Sequence, residues 1–182
     1  MDLIYSRIFK IFFLVFFLSS CSSDLDFDQT KNLKLEPAFV ANLAYFDVKA
    51  NDLIVDDEIQ VLAGVGGFDV FKDKFFNDHL RKAELDFEIE NTIARAFAVR
   101  FLLLNANDEV LQTISFAVPA YNGTSNIIKY PTEVFENQRL ELLKQTVKIG
   151  TVVVMGSGQP LDQNSSGSLK LRSGATAYIV IE

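Results

Sequence analysis

From about residue 33 onward, apolar residues recur mostly at every second position. That is the period of strands with one buried and one wet face. The clearest stretch is Glu84-Leu85-Asp86-Phe87-Glu88-Ile89-Glu90, with Leu85, Phe87 and Ile89 on one face and four acids on the other. A strand is expected over 39–48. Runs 97–104 and 110–118 flank Asn105-Ala106-Asn107-Asp108-Glu109, which reads as a β-hairpin. Further strands are expected over 147–155, 168–172 and 175–182, with Ser173-Gly174 as a tight-turn signal between the last two. Six or more strands with few helices predict a mainly β fold: an antiparallel two-sheet sandwich, immunoglobulin-like or related, with one or two short helices.

Two stretches break the alternation. In 132–144, Phe135, Leu142 and Leu143 fall at i, i+7 and i+8, and Thr132 follows Pro131 as a candidate cap. This predicts a short helix crossing from one sheet to the other. In 68–80, Phe68, Phe71, Phe75 and Phe76 trace a helical stripe, expected to pack on a sheet as a helix or as a covering loop with a helical turn. The close glycines of Ala63-Gly64-Val65-Gly66-Gly67 lack the order of a phosphate loop and read as a bend ahead of that stripe. Residues 157–167 are polar and rich in turn formers, as in a surface loop. No repeat at solenoid spacing is present.

The N-terminus has a different character. Arg7 and Lys10 precede the apolar run Ile11-Phe12-Phe13-Leu14-Val15-Phe16-Phe17-Leu18, and Ser19 and Ser20 follow it. These are the parts of a secretory signal, and the run is too short to span about 30 Å of hydrocarbon. The tetrapeptide Leu18-Ser19-Ser20-Cys21 resembles the lipobox of bacterial lipoproteins. In that family the signal is cut before the cysteine, and its thiol receives a diacylglycerol, so the resemblance implies Cys21 as the lipid attachment site. Ser22-Ser23-Asp24-Leu25-Asp26-Phe27-Asp28 looks like the acidic segment after the lipidated cysteine in many Bacteroidota lipoproteins, where it acts as an export signal to the outer membrane. Its Asp-x-Asp-x-Asp spacing fails as an EF-hand, which needs a glycine next and a glutamate at the twelfth position. The expected organisation is a signal peptide over 1–20, a lipidated acidic tether over 21–32 and a sandwich domain over 33–182.

Composition narrows the chemistry. The 182-residue chain suits one domain and carries a net charge of −7. Residues 1–20 hold Asp2, Arg7 and Lys10, so the mature chain stands at −8. An acidic chain with no basic stripe is a poor partner for nucleic acid. One cysteine makes no internal disulfide, and one histidine makes no multi-histidine metal site. His79 lies among Asn77, Asp78 and Arg81 with no nucleophile motif, so an exposed polar position is expected. Asp56-Asp57-Glu58 has the oxygens of a cation or glycosidase site, yet consecutive acids point in different directions on a strand, so a solvated turn is expected.

Tyr121 and Tyr130, flanking Asn122-Gly123-Thr124-Ser125-Asn126, are the candidate ligand-contact aromatics, expected to be exposed. The resulting expectation is a non-enzymatic envelope lipoprotein without metal or cofactor, held at the outer membrane through the lipid on Cys21. Its role would be binding or structural. A surface module for an envelope protein or a glycan is the second reading, and a hydrolase using Asp56, Asp57 or Glu58 the third.

Overall fold

The computed structural model describes residues 34–53, 61–68, 70–124 and 127–181. The compact unit runs from Lys34 to Ile181. Among the described residues nine strands form it: β1 (Ala38–Lys49), β2 (Val61–Gly67), β3 (Leu80–Asn91), β4 (Arg95–Leu104), β5 (Val110–Val118), β6 (Ile127–Lys129), β7 (Glu133–Phe135), β8 (Lys148–Gly158) and β9 (Ser168–Ile179). Two short helices, α1 (Lys74–His79) and α2 (Asn137–Lys144), join them, with single 3-10 turns at Ala50–Leu53 and Val70–Lys72.

Two antiparallel sheets pack as a sandwich. One is ordered β1-β9-β3-β6, with β7 also on β3, and the other β2-β8-β4-β5. The pairs β1·β9, β2·β8, β3 with β6 and β7, and β4·β5 nest inside one another along the sequence. This is one long antiparallel ribbon rolled into a barrel-like sandwich, the jelly-roll arrangement. The immunoglobulin sandwich is likewise built of two antiparallel sheets, with a different strand order.

The alternation seen in sequence places the core. Leu85, Phe87 and Ile89 of β3 face Val99, Phe101 and Leu103 of β4, and all six are buried. Phe87 meets Phe101 edge-on at 5.0 Å and Phe116 at 4.7 Å. Such ring pairs contribute about 0.5–1.5 kcal/mol each beyond the area they bury. On the other face of β3, Glu88 has cross-strand partners, 3.2 Å from Arg172 of β9 and 3.7 Å from Lys129 of β6. These exposed pairs set register more than they set stability.

The 97–118 hairpin, the strands at 39–48 and 84–90, and the helix that carries the chain from β7 in one sheet to β8 in the other all form as expected. Three local readings are corrected. Ser173-Gly174 is no turn, because β9 runs straight through it as the central strand between β1 and β3. Residues 63–67 are no bend but the continuation of strand β2, hydrogen-bonded along β8. Thr132 does not cap a helix: Glu133–Phe135 pairs with β3 and buries Phe135 completely, and helix α2 begins only at Asn137. A period of seven over so few residues does not distinguish a strand followed by a short helix from one longer helix.

Candidate functional site

β1 and β2 are the outer strands on one side of the sandwich, each paired on one edge alone among the described residues. Between them lies a cleft of about 480 Å³. Leu43, Tyr45 and Phe46 of β1 form one wall, the Gly64-Val65-Gly66-Gly67 ribbon of β2 the other, and Ile149, Thr151 and Val153 of β8 also line it. The glycines make the β2 wall bare. A Cβ placed on Gly64, Gly66 or Gly67 would meet no atom within 4 Å. Tyr45 and Val65 at the mouth are 65% and 64% exposed, well above the core residues behind them.

Leu43, Phe68 and Ile149 also line a second, more enclosed cavity of about 180 Å³. Its other walls come from Phe39, Phe71 and Phe76, backed by Leu85 and Leu103. Three rings of the phenylalanine stripe, Phe68, Phe71 and Phe76, thus fold into a corner, while Phe75 is exposed and lies against His79 instead of packing on a sheet. Phe68 and Phe71 meet edge-on at 5.2 Å, and Phe76 lies 5.9 Å from Phe71 and 6.2 Å from Phe39. The Asp73 carboxylate caps α1 by accepting the Phe76 N–H at 2.8 Å, which closes one helical turn and aims Phe76 at the corner. Chemically the lining offers shape and apolar surface. Tyr45, Thr151, Asn42 and Thr176 supply its polar side chains.

The opposite side of the sandwich is closed. Tyr130, just after β6, donates its hydroxyl to the Ala117 carbonyl of β5 at 2.8 Å and stacks on Phe116 at 4.6 Å. Burial raises its phenol pKa above the ordinary value. Helix α2 packs over β5 and β7 on the same side. Next to Tyr130, a polar hollow of about 540 Å³ opens over Asp86, Glu88, Lys129 and Arg172, with Gly174 in its lining. On the outer face of β3, Glu84 accepts from Lys82 at 2.7 Å and from the Tyr178 hydroxyl at 2.9 Å. Those bonds, Lys82 first, lower the Glu84 pKa, while the bond to Glu84 raises that of Tyr178.

The sequence-named candidates fare differently. Cys21 and Asp56, Asp57 and Glu58 lie outside the described residues. Tyr121 and Tyr130 are half-buried rather than exposed, and the structure does not bring them together as a ring platform: Tyr121 is held by its backbone N–H to the Ile93 carbonyl, Tyr130 by its hydroxyl. Tyr130 still lines the polar hollow. His79 is also half-buried, its Nδ1 2.7 Å from the Phe75 carbonyl and its ring 4.2 Å from that of Phe75. Among the described residues no three His, Cys, Asp or Glu side chains converge as a metal site, and no helix is long and apolar enough to cross a membrane. Sequence reading missed the cleft itself. Its one signal was the glycine run 64–67, since glycine inside a strand marks close backbone approach as often as a bend.

No protein-family model matches the chain, and no curated protein matches it. Among solved structures, the chain is similar to the VP2 subviral particle of infectious bursal disease virus, at TM-score 0.43 and 14% identity over 79% of this chain and 37% of that one. A protein of Parabacteroides distasonis ATCC 8503, provisionally described as secreted, aligns at TM-score 0.41 and 14% identity over 64% of this chain and 38% of its own. Desmodium yellow mottle tymovirus aligns at TM-score 0.33 and 9% identity, covering 81% and 90%. The chain spans little more than a third of the length of the first two.

Proposed function

We propose that this chain is a lipid-anchored lipoprotein of the bacterial cell envelope, at the outer membrane, whose jelly-roll domain has a binding or structural role and no catalytic one. The observation that carries the reading is Cys21, the one cysteine of the chain, standing where the lipobox Leu18-Ser19-Ser20-Cys21 requires it. A diacylglyceryl thioether with an acylated amine holds a protein at a bilayer firmly, whereas one acyl chain holds it marginally. In this reading the acidic stretch after Cys21 is the tether between the lipid and the domain. The cleft between β1 and β2, lined by aliphatic and aromatic side chains, favours a surface that binds an envelope protein over one that binds a glycan.

Mass spectrometry of the mature N-terminus, on wild type and Cys21→Ala, tests the anchor. The expected result is an N-terminal peptide starting at Cys21 with a diacylglyceryl mass increment, absent from the variant, and a wild-type protein that fractionates with membranes. Protease shaving of whole cells then separates surface from periplasmic exposure. An unmodified N-terminus on a soluble protein overturns the reading.

A further inference from the structure

Among the described residues, the side of the sandwich between β1 and β2 lacks most of the usual guards of a sheet edge. Natural edge strands are guarded by charges, prolines, bulges or covering elements. β1 has no charged residue from Ala38 to Phe46 and β2 none at all, in a chain that is 23% charged. β1 carries a bulge between Asn42 and Ala44, while β2 pairs with β8 in unbroken register from Val61 to Gly67. At the other edges of the sheets, β5 is also uncharged but packs against α2, and β6 and β7 carry Lys129 and Glu133.

Two properties of the cleft together select its occupant. Its interior is apolar, and its β2 rim is a run of backbone with an unpartnered hydrogen-bonding edge among the described residues. A fatty chain laid there would satisfy the first and leave backbone N–H and C=O groups desolvated without partners, at about 1–3 kcal/mol each. An extended polypeptide satisfies both, because it brings alternating donors and acceptors and places every second side chain inward. The glycines of β2 let its backbone approach closely. At the Phe39 end, the enclosed cavity of about 180 Å³ walled by Phe68, Phe71 and Phe76 is of the size that holds one benzene-like group in an apolar protein interior. The uncharged rim matches an uncharged segment.

We propose that the β2 edge is a strand-addition site: it accepts an extended, uncharged segment of another protein, alternating in apolar residues, with one aromatic side chain entering the cavity bounded by Phe68, Phe71 and Phe76. This deepens the binding half of the reading above and does not depend on the anchor, so the two are tested separately.

The experiment uses the full chain and a fluorescein-labelled peptide that alternates valine or phenylalanine with threonine or serine. Its control carries proline at alternate positions, which removes backbone donors while keeping apolar content. Fluorescence anisotropy is expected to show saturable binding of the first peptide and at least tenfold weaker binding of the second. Gly66→Val places a branched side chain in the cleft where the glycine has open space, so it is expected to keep the wild-type Tm and lose at least tenfold in affinity. Equal binding of both peptides, displacement by decanoate with no peptide preference, or an unchanged affinity in folded Gly66→Val overturns the proposal. So does sedimentation showing that the chain dimerises through this edge and that Gly66→Val makes it monomeric, since the occupant is then a second copy.

Discussion

The Ser173 hydroxyl accepts the Ala44 N–H at 2.9 Å and donates to the Ala44 carbonyl at 3.0 Å, so one side chain does the work of a ladder rung at the bulge in β1. The register jumps there from Asn42 opposite Gly174 to Ala44 opposite Ser173, and the serine is buried. Ser173→Ala leaves both backbone groups without that partner. It should cost about 1–2 kcal/mol, read as a lower urea midpoint at unchanged m-value.

Asn91 is fully buried and uses its whole amide. Its Nδ2 donates to the Arg95 carbonyl at 2.9 Å and the Pro119 carbonyl at 2.7 Å, and its Oδ1 accepts the Ile93 N–H at 2.9 Å. It ties together the ends of β3, β4 and β5, where the chain changes sheets. Asn91→Leu keeps the volume and removes three hydrogen bonds to backbone groups. A loss of about 3 kcal/mol is expected, whereas a loss below about 1 kcal/mol in chemical denaturation would mean that water replaces the amide.

Two glycines should respond in opposite ways. Gly167 has φ +101°, and a Cβ there would lie 2.3 Å from the Thr92 carbonyl oxygen, so Gly167→Ala should cost more than about 2 kcal/mol through backbone strain and displacement of β3's end. Gly64 sits in an ordinary strand conformation with open space, and Gly64→Ala should be neutral or stabilising by about 0.5 kcal/mol, since it restricts the unfolded chain. Thermal melts of both variants check the contrast.

Tyr178 and Tyr130 should ionise above the ordinary phenol range, the first through its bond to Glu84 and the second through burial. A raised phenol pKa stabilises the fold fully below the unfolded value, near about pH 10, and that contribution is lost as pH rises through the folded value. The depressed pKa of Glu84 works in reverse: its contribution is present above the ordinary carboxylate range and fades as pH falls through the folded value. Ultraviolet titration of tyrosinate should therefore show late components, one removed by Tyr178→Phe and another by Tyr130→Phe. Coincident titration of all tyrosines would contradict both environments.

Much of this fold is readable from residue pattern, for a physical reason. An alternating strand such as 84–90 needs only its own sequence to say which face is buried, and the loop between β4 and β5 carries its own turn chemistry. The proposed N-terminal address likewise rests on a local code, so Cys21 is a candidate without any fold. Ser173-Gly174 and the 64–67 glycines misled because a glycine's local preference is weak, and the neighbouring strands that hold them extended come from distant parts of the chain: β1 and β3 for the first, β8 for the second. The same holds for Tyr130, whose ring and hydroxyl are claimed by Phe116 and Ala117 of β5. The jelly-roll strand order, the closed side under α2 and the open cleft between β1 and β2 arise from pairings across up to about 140 residues of separation, such as Ala38 with Tyr178. Sequence alone determined most of the longer strands, their buried faces and the candidate anchor. Which edges stay open among the described residues, and hence where the proposed partner strand would fit, was decided by long-range pairing, because an edge exists only once every other strand has taken its place.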